Sequence, residues 1–273
     1  MKGKVLTKKA ILLVVSLLLV ALPLFAACAK EAPAPAPAPA PVPVPVEKRV
    51  LKIVFMEDLT GPAATVLIPY NMGARDYVRY YEEEKGGISG VDLEYIGVDF
   101  RKDVSLAVTM YKRYSADPDV MMIQAHDTTS TQTLLPAFEE ARIPCVTSVS
   151  SIKLYRTPGW FYSMYSSYED GFTVWIDWLL ENWKETRPPV IGAIIQDTTY
   201  GRSWCEPGSP SYQYTIDKGC EWASYNPLPA RTPDYTAELM RLKGEGVDWV
   251  FNNGFEPDSV TAVKNAGTLG LIP

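Results

Sequence analysis

With 273 residues and a formal charge of −6, the chain is long enough for two modest lobes with real cores, and it holds no surplus of positive charge. That balance excludes a nucleic-acid surface, which needs clustered cations, and argues against substrates gathered by a broad basic face. One histidine and four cysteines leave no spacing that suggests a metal site.

The chain opens MKGKVLTKKA, with Lys2, Lys4, Lys8 and Lys9, and continues as an apolar run whose only polar residue is Ser16. A charged start, a greasy run and then small residues is the layout of a secretory signal, here residues 1–27. The run also approaches the ~20 residues that span a membrane, so an uncleaved anchor is a second reading, and ordinary secretion a third. Pro23 and the pair Ala26-Ala27 ahead of a cysteine favour cleavage. LFAAC, ending at Cys28, resembles the bacterial lipoprotein signal, which implies that Cys28 is lipidated and becomes the new N-terminus. Phe25 stands where that pattern prefers leucine, with Leu24 one place further back. Taking the four lysines before Cys28 away from −6 leaves −10 on the processed chain. Residues 28–46 read as a linker: EAPAPAPAPAPVPVPV at 31–46 removes backbone donors at alternate positions and cannot build a core. As polyproline II it would reach roughly 50 Å, at ~3.1 Å per residue.

The folded part begins with VLKIVF (50–55), a buried-strand pattern, followed by the loop LTGPAA. Tyr70, Ala74, Tyr77, Val78 and Tyr81 then recur at helical spacing on one face, and Gly86-Gly87 ends that helix. A strand over 91–99, a helix over 105–116, the strand VMMI (120–123), the helix TQTLLPAFEEA and the strand PCVTS follow. The second half keeps the alternation. It has a tryptophan-rich helix over 172–183, a strand over 189–197, a loop containing Tyr200-Gly201, and a helix near 210–218. A helix over 234–246, a strand over 247–253 and a helix over 256–267 complete it. The expected fold class is α/β, two Rossmann-like lobes with parallel sheets and a cleft between them. Cys145, inside IPCVTS, reads as a small buried hydrophobe. Cys205 and Cys220 either pair or are held apart by the helix near 210; both readings stay open.

Parallel strands end on one edge, and ligands bind there. Thr128, Thr129 and Ser130 follow one such strand, and Thr147, Ser148, Ser150 and Ser151 sit at or after the end of the next. Both groups should reach the same rim, where a helix beginning near Ser130 also points free N–H groups and the positive end of its dipole. Hydroxyls and helix amides make a receptor for a small carboxylate or amide, at about 1.5–3 kcal/mol per charge-assisted hydrogen bond. The plain alternative is that these residues only cap helices.

LKIVFMEDLTGPAA, EEEKGGISGVDLEYIGVDFRKD, TTSTQTLLPAFEEARIPCVTSVSS and VIGAIIQDTTYGRS, in that order, resemble the type I periplasmic-binding-protein superfamily. The nearest branch is that of the branched-chain amino acid substrate-binding proteins of ABC transporters. The resemblance runs from Val50 to Pro273. It implies a two-lobed clamp, with 47–166 and 167–273 as its two partial lobes, closing on a small polar metabolite without making or breaking a bond. It implies ligand contacts from Thr128, Thr129 or Ser130, from Ser150 and Ser151, from Tyr200, and from Phe255 in NNGFEP. Val66 stands where the family has an aromatic residue, and FYSMYSSYEDG replaces the usual loop, so that Tyr165 and Tyr168 line the cleft instead. The family chain continues past GTLGLIP, which here reads as a helix followed by a strand's first residues; a partial sequence or a naturally short receptor would both give this. The acidic residue that meets the ligand amine would lie beyond Pro273, with Glu256 a substitute by proximity. The implied partners are an ABC permease in the membrane, the lipid anchor and a small-molecule ligand, with no cofactor and no metal. A sensing receptor of the same fold is the second functional reading. A secreted hydrolase using His126-Asp127 beside Thr128-Thr129 is the third, although the chain has no G-x-S-x-G elbow and no phosphate loop.

Overall fold

The computed structural model describes residues 49–155 and 159–272. The signal segment, Cys28 and the proline-rich stretch lie outside the described residues. Among these residues, strands and helices alternate from β1 (Val50–Glu57) to α9 (Glu256–Thr268), except where two helices, Thr199–Cys205 and Pro210–Asp217, follow one another.

The first half holds β1, α1 (Ala64–Lys85), β2 (Asp92–Asp99), α2 (Val104–Ser115), β3 (Val120–Ala125), α3 (Thr128–Ala141), β4 (Cys145–Thr147), α4 (Ile152–Tyr155) and β5 (Phe161–Ser163). β1 lies in the middle of β2-β1-β3, parallel to both neighbours, and β4 pairs parallel with β5. Ile123 N–H donates to the Pro144 carbonyl at 3.1 Å and the Thr147 hydroxyl to the Ala125 carbonyl at 2.9 Å, which sets β4 beside β3. Strand order therefore runs 2-1-3-4-5 and reverses between β1 and β3. A crevice opens at such a reversal, outside the carboxyl ends of the strands.

The second half holds α5 (Tyr168–Asn182), β6 (Val190–Gln196), α6 (Thr199–Cys205), α7 (Pro210–Asp217), β7 (Glu221–Leu228), α8 (Thr236–Gly244), β8 (Trp249–Asn252) and α9. Its sheet is β7-β6-β8, all parallel, with β6 central. Six of the seven residues of VIGAIIQ are buried, as a strand covered on both faces must be. Phe172, Ile176, Leu179, Ile191 and Ile195 pack on one side, and Ile194, Leu239, Leu242 and Ala262 on the other. A second reversal falls between β6 and β8.

Several elements differ from the sequence reading, which named neither α4 nor β5. Tyr200-Gly201 is helical, in α6, rather than loop. β7 carries no alternation and contains Pro227, which hid it; it is an edge strand, where a missing N–H is tolerated. Leu271 and Ile272 adopt no regular structure. The periodic face of α1 points at the sheet as expected, but its burial is incomplete. Tyr70, Ala74, Tyr77 and Val78 line an open apolar groove over Ile53, Phe55 and Met122, and Tyr77 is 62% exposed. Cys145 is buried in the first core, and Cys205 and Cys220 are buried free thiols, so the bridge left open does not form. Burial pushes the thiols of Cys145 and Cys220 up to about 12 and about 11, which keeps them protonated and unreactive. Among the described residues no helix is long and apolar enough to cross a membrane.

Candidate functional site

A cavity of about 280 Å³ lies where the two reversals face each other, close to the lower end of the ~300–1,000 Å³ usual for ligand pockets. The turn after β1 contributes Asp58 and Ala63, α1 contributes Val66 and Leu67, and the turn after β2 contributes Lys102. His126, Asp127 and Thr128 come from the end of β3, and Ser148 and Val149 from the end of β4. Tyr168, Tyr200 and Phe255 supply aromatic rings from the second half, and Tyr165 lines the cavity between the two groups. The cavity therefore has one polar wall and one aromatic wall.

The aromatic wall is rigid because its rings brace one another. Tyr200 stacks on Phe255 with centroids 5.6 Å apart and planes 7° apart, and its edge meets Tyr168 at 5.1 Å. Tyr168 stacks in turn on Trp204 at 5.2 Å. Burial pushes the Tyr200 phenol up to about 12, so it stays neutral at physiological pH. A buried network beneath the wall positions it. Gln196 N–H donates to Asn253 Oδ1 at 3.1 Å, Asn253 Nδ2 to the Gly201 carbonyl at 2.8 Å, and Gln196 Nε2 to Asp258 Oδ2 at 2.9 Å. Gly201 is required because a Cβ there would run into the backbone carbonyl of Gln196.

The polar wall is built on caps. Asp127 takes the N–H of Ser130 at 2.8 Å and its hydroxyl at 2.9 Å, which starts α3. Asp58 accepts from the N–H groups of Gly61 at 2.7 Å and Ala63 at 2.8 Å. With the caps supplied by carboxylates, Thr128 faces the cavity from the first position of α3. His126 lies deeper. Its Nε2 is 2.6 Å from Ser148 Oγ, and its Nδ1 is 3.4 Å from Gln124 Nε2 and 3.9 Å from Glu57 Oε1. The edge of Tyr70 packs against its ring at 4.7 Å between centroids. Among the described residues no cluster of three His, Cys, Asp or Glu could hold a metal ion.

Residues 50–273 match the family model described as "Periplasmic binding protein". The chain belongs to this family. Solved structures share the fold at low identity. A branched chain amino acid ABC transporter from Thermus thermophilus with bound valine gives a TM-score of 0.75 at 18% identity, covering 82% of this chain and 57% of that one. A fatty acid ABC transporter substrate-binding protein from Thermomonospora curvata gives 0.71 at 17%, covering 82% and 56%. A solute binding protein of an ABC transporter from Rhodopseudomonas palustris BisB5, in complex with 3,4-dihydroxy benzoic acid, gives 0.65 at 16%, covering 81% and 59%. The chain thus spans less than two thirds of the length of each. Comparison with curated protein sequences finds no match.

This periplasmic binding protein chain brings four of the eight expected ligand contacts to the cavity, Thr128, Tyr168, Tyr200 and Phe255, together with Ser148 and Tyr165, which the sequence had placed at the rim or cleft. Four others lie elsewhere. The Thr129 hydroxyl donates across to Thr199 Oγ1 at 2.7 Å, linking the two halves. Ser130 is 1% exposed and spent on the Asp127 cap. Ser150 turns back to the Ser148 carbonyl at 3.0 Å and to Ser163 Oγ at 2.9 Å. Ser151 is wholly buried, its hydroxyl without a partner. Glu256 does not line the cavity, whereas Val66 and Tyr165 do. The sequence placed Ser148 on the rim without assigning it a ligand contact, passed over Lys102 and Asp58, and weighed His126 as a catalytic base rather than a lining residue. Their signal was position: Asp58, His126 and Ser148 directly follow strands, and Lys102 lies three residues beyond one, at the edge where the crevice opens.

Proposed function

We propose that this chain is the ligand-binding part of an extracytoplasmic substrate-binding lipoprotein of an ABC transporter, anchored through Cys28 and handing its ligand to a membrane permease. Residues 47–166 and 167–273 act as the two lobes of the clamp. The observation that carries the reading is the two-walled cavity between the sheet edges. Thr128 and Ser148 meet the polar end of a small guest, and Tyr168, Tyr200 and Phe255 hold its apolar body. Valine, fatty acid and 3,4-dihydroxy benzoic acid, named for the three similar proteins, share a carboxylate and an apolar part. The ligand class proposed is therefore small carboxylates with an apolar or aromatic body, amino acids included.

The test is a thermal-shift screen of amino acids, amides and monocarboxylates against the full chain, followed by calorimetric titration of each compound that raises the melting temperature. Weaker titration by Thr128→Ala and Tyr200→Ala supports the site; unchanged affinity in both rejects it. Ser148 Oγ lies 2.6 Å from His126 Nε2, a contact that also suits a nucleophile and its base. That observation favours hydrolysis as the second reading. Turnover of 4-nitrophenyl acetate that disappears in Ser148→Ala would establish it in place of passive binding.

A further inference from the structure

Glu57 ends β1 wholly buried. Its Oε2 accepts from Asn71 Nδ2 at 2.6 Å, while its Oε1 has no hydrogen-bond partner. Buried carboxylate oxygens are almost always paired, so an unpaired one needs a reason. The imidazole of His126 faces it, with Nδ1 3.9 Å from that oxygen. The opposite nitrogen of the same ring reaches Ser148 on the cavity wall. One imidazole therefore spans the distance between a buried acid and the place where a guest would sit.

Resting on the reading of the cavity as a site for small carboxylates, we propose that binding is proton-linked: one proton enters with the guest anion and resides on His126, between the guest and Glu57. The balance is simple. A neutral imidazole takes one proton from solvent as the carboxylate enters, no covalent bond changes, and release returns both. Two carboxylates flanking one imidazole each favour its charged form. A guest carboxylate brought in beside Glu57 places two like charges on either side of the ring, which is unfavourable unless a positive charge lies between them.

The other charged and titratable groups around the ring do not fill this role. Asp58 and Asp127 are engaged by backbone N–H groups at helix entries. Lys102 lies over the Phe255 ring, 5.1 Å from its centroid. Tyr70 packs its edge on the imidazole and accepts from Gln124 at 2.8 Å. Tyr165 and Tyr168 are phenols at the cavity wall, and burial pushes Tyr200 up to about 12. Histidine is the side chain whose ordinary titration falls near neutrality, at about 6.5.

The experiment is calorimetric titration of the full chain with benzoate and 3-methylbutanoate, and with benzamide as the uncharged comparison. Each is run in PIPES, HEPES and Tris buffers between pH 5.5 and 8.5. For the carboxylates the heat should vary with the buffer's ionisation enthalpy, giving up to one proton taken up per guest at pH 8 and fewer toward pH 5.5. Their Kd should weaken as pH rises across this range, by up to about tenfold per pH unit. Benzamide should show neither effect. His126→Gln should abolish the proton uptake and the pH slope, and Glu57→Gln should reduce both, with circular-dichroism melts verifying that the variants fold. Carboxylate binding with buffer-independent heat, or a slope that survives in His126→Gln, overturns the proton linkage and leaves the proposed binding site standing. No binding of either carboxylate at any pH overturns both.

Discussion

Ser148 and Ser151 share a sequence cluster and have opposite surroundings. Ser148 stands on the cavity wall with its hydroxyl 2.6 Å from His126, while Ser151 is fully enclosed with its hydroxyl unpaired. Substitution should separate them. Ser148→Ala, like Thr128→Ala, should weaken carboxylate binding by about tenfold, the equivalent of about 1.4 kcal/mol, read by calorimetric titration. Ser151→Ala should leave affinity unchanged, and it should leave the melting temperature level or slightly higher because it removes an unsatisfied buried group. The sequence showed where the hydroxyls cluster but not which of them turn inward. That choice is made within one turn of chain, by whether a side chain finds the Asp127 cap, a carbonyl or open space. Strand periodicity is silent on such contacts, so Ser130 and Ser150 look the same as Ser148 on the page.

At the scale of elements, β6 and the parts around it show what was legible and what was not. A run as apolar as VIGAIIQ has one home, the middle of a covered sheet, and β6 lies there. Phe172, wholly buried against Trp222 and Phe251, belongs to the same core, and Phe172→Ala should lower unfolding free energy by about 3–5 kcal/mol in denaturant titrations. α6 escaped because seven residues are too few to display a period, and what fixes it is tertiary. Thr198 caps it, with its hydroxyl accepting from the Gly201 N–H at 3.2 Å, and Asn253 reaches its Gly201 carbonyl from the β8 end. Gly201→Ala would drive a methyl group into the Gln196 carbonyl and displace the helix that carries Tyr200. It should lower stability by roughly 1–3 kcal/mol. It should also weaken ligand binding beyond what the lost stability explains, measured by titration at a temperature where the variant is fully folded.

Across the whole molecule, the two halves meet through a few contacts around the cavity. Thr129 bonds to Thr199 at 2.7 Å, and Arg231 Nη2 donates to the Gly61 carbonyl at 3.0 Å. Breaking a neutral hydrogen bond of this kind shifts an equilibrium by about 0.5–1.5 kcal/mol. If the binding-competent arrangement is the one bridged here, Thr129→Val should raise the apparent Kd by about two- to tenfold, with an increased radius of gyration in small-angle scattering. The halves also share a dependence on acid. A hydrogen bond from Lys52 at 2.7 Å holds the Asp117 carboxyl below its usual range. Lys218, with Tyr214, does the same for Asp177, and the paired bonds from Arg187, each 2.7 Å, do it for Asp248. A carboxylate depressed in the folded state binds fewer protons there than in the unfolded chain. Its contribution is therefore complete above the ordinary aspartate value of about 3.9 and is lost as pH falls through the lower folded value. The melting temperature should stay level from pH 7 to 5 on this account and drop below about pH 4. Asp248→Asn should lower it at pH 7 and make its fall in acid shallower. The Asp248 pair is the most informative to break, because its carboxylate also accepts the Val190 N–H at 2.8 Å and so ties the start of β6 to the turn before β8. A parallel loss at pH 7 and pH 3 would mean that the pair acts through packing rather than through charge.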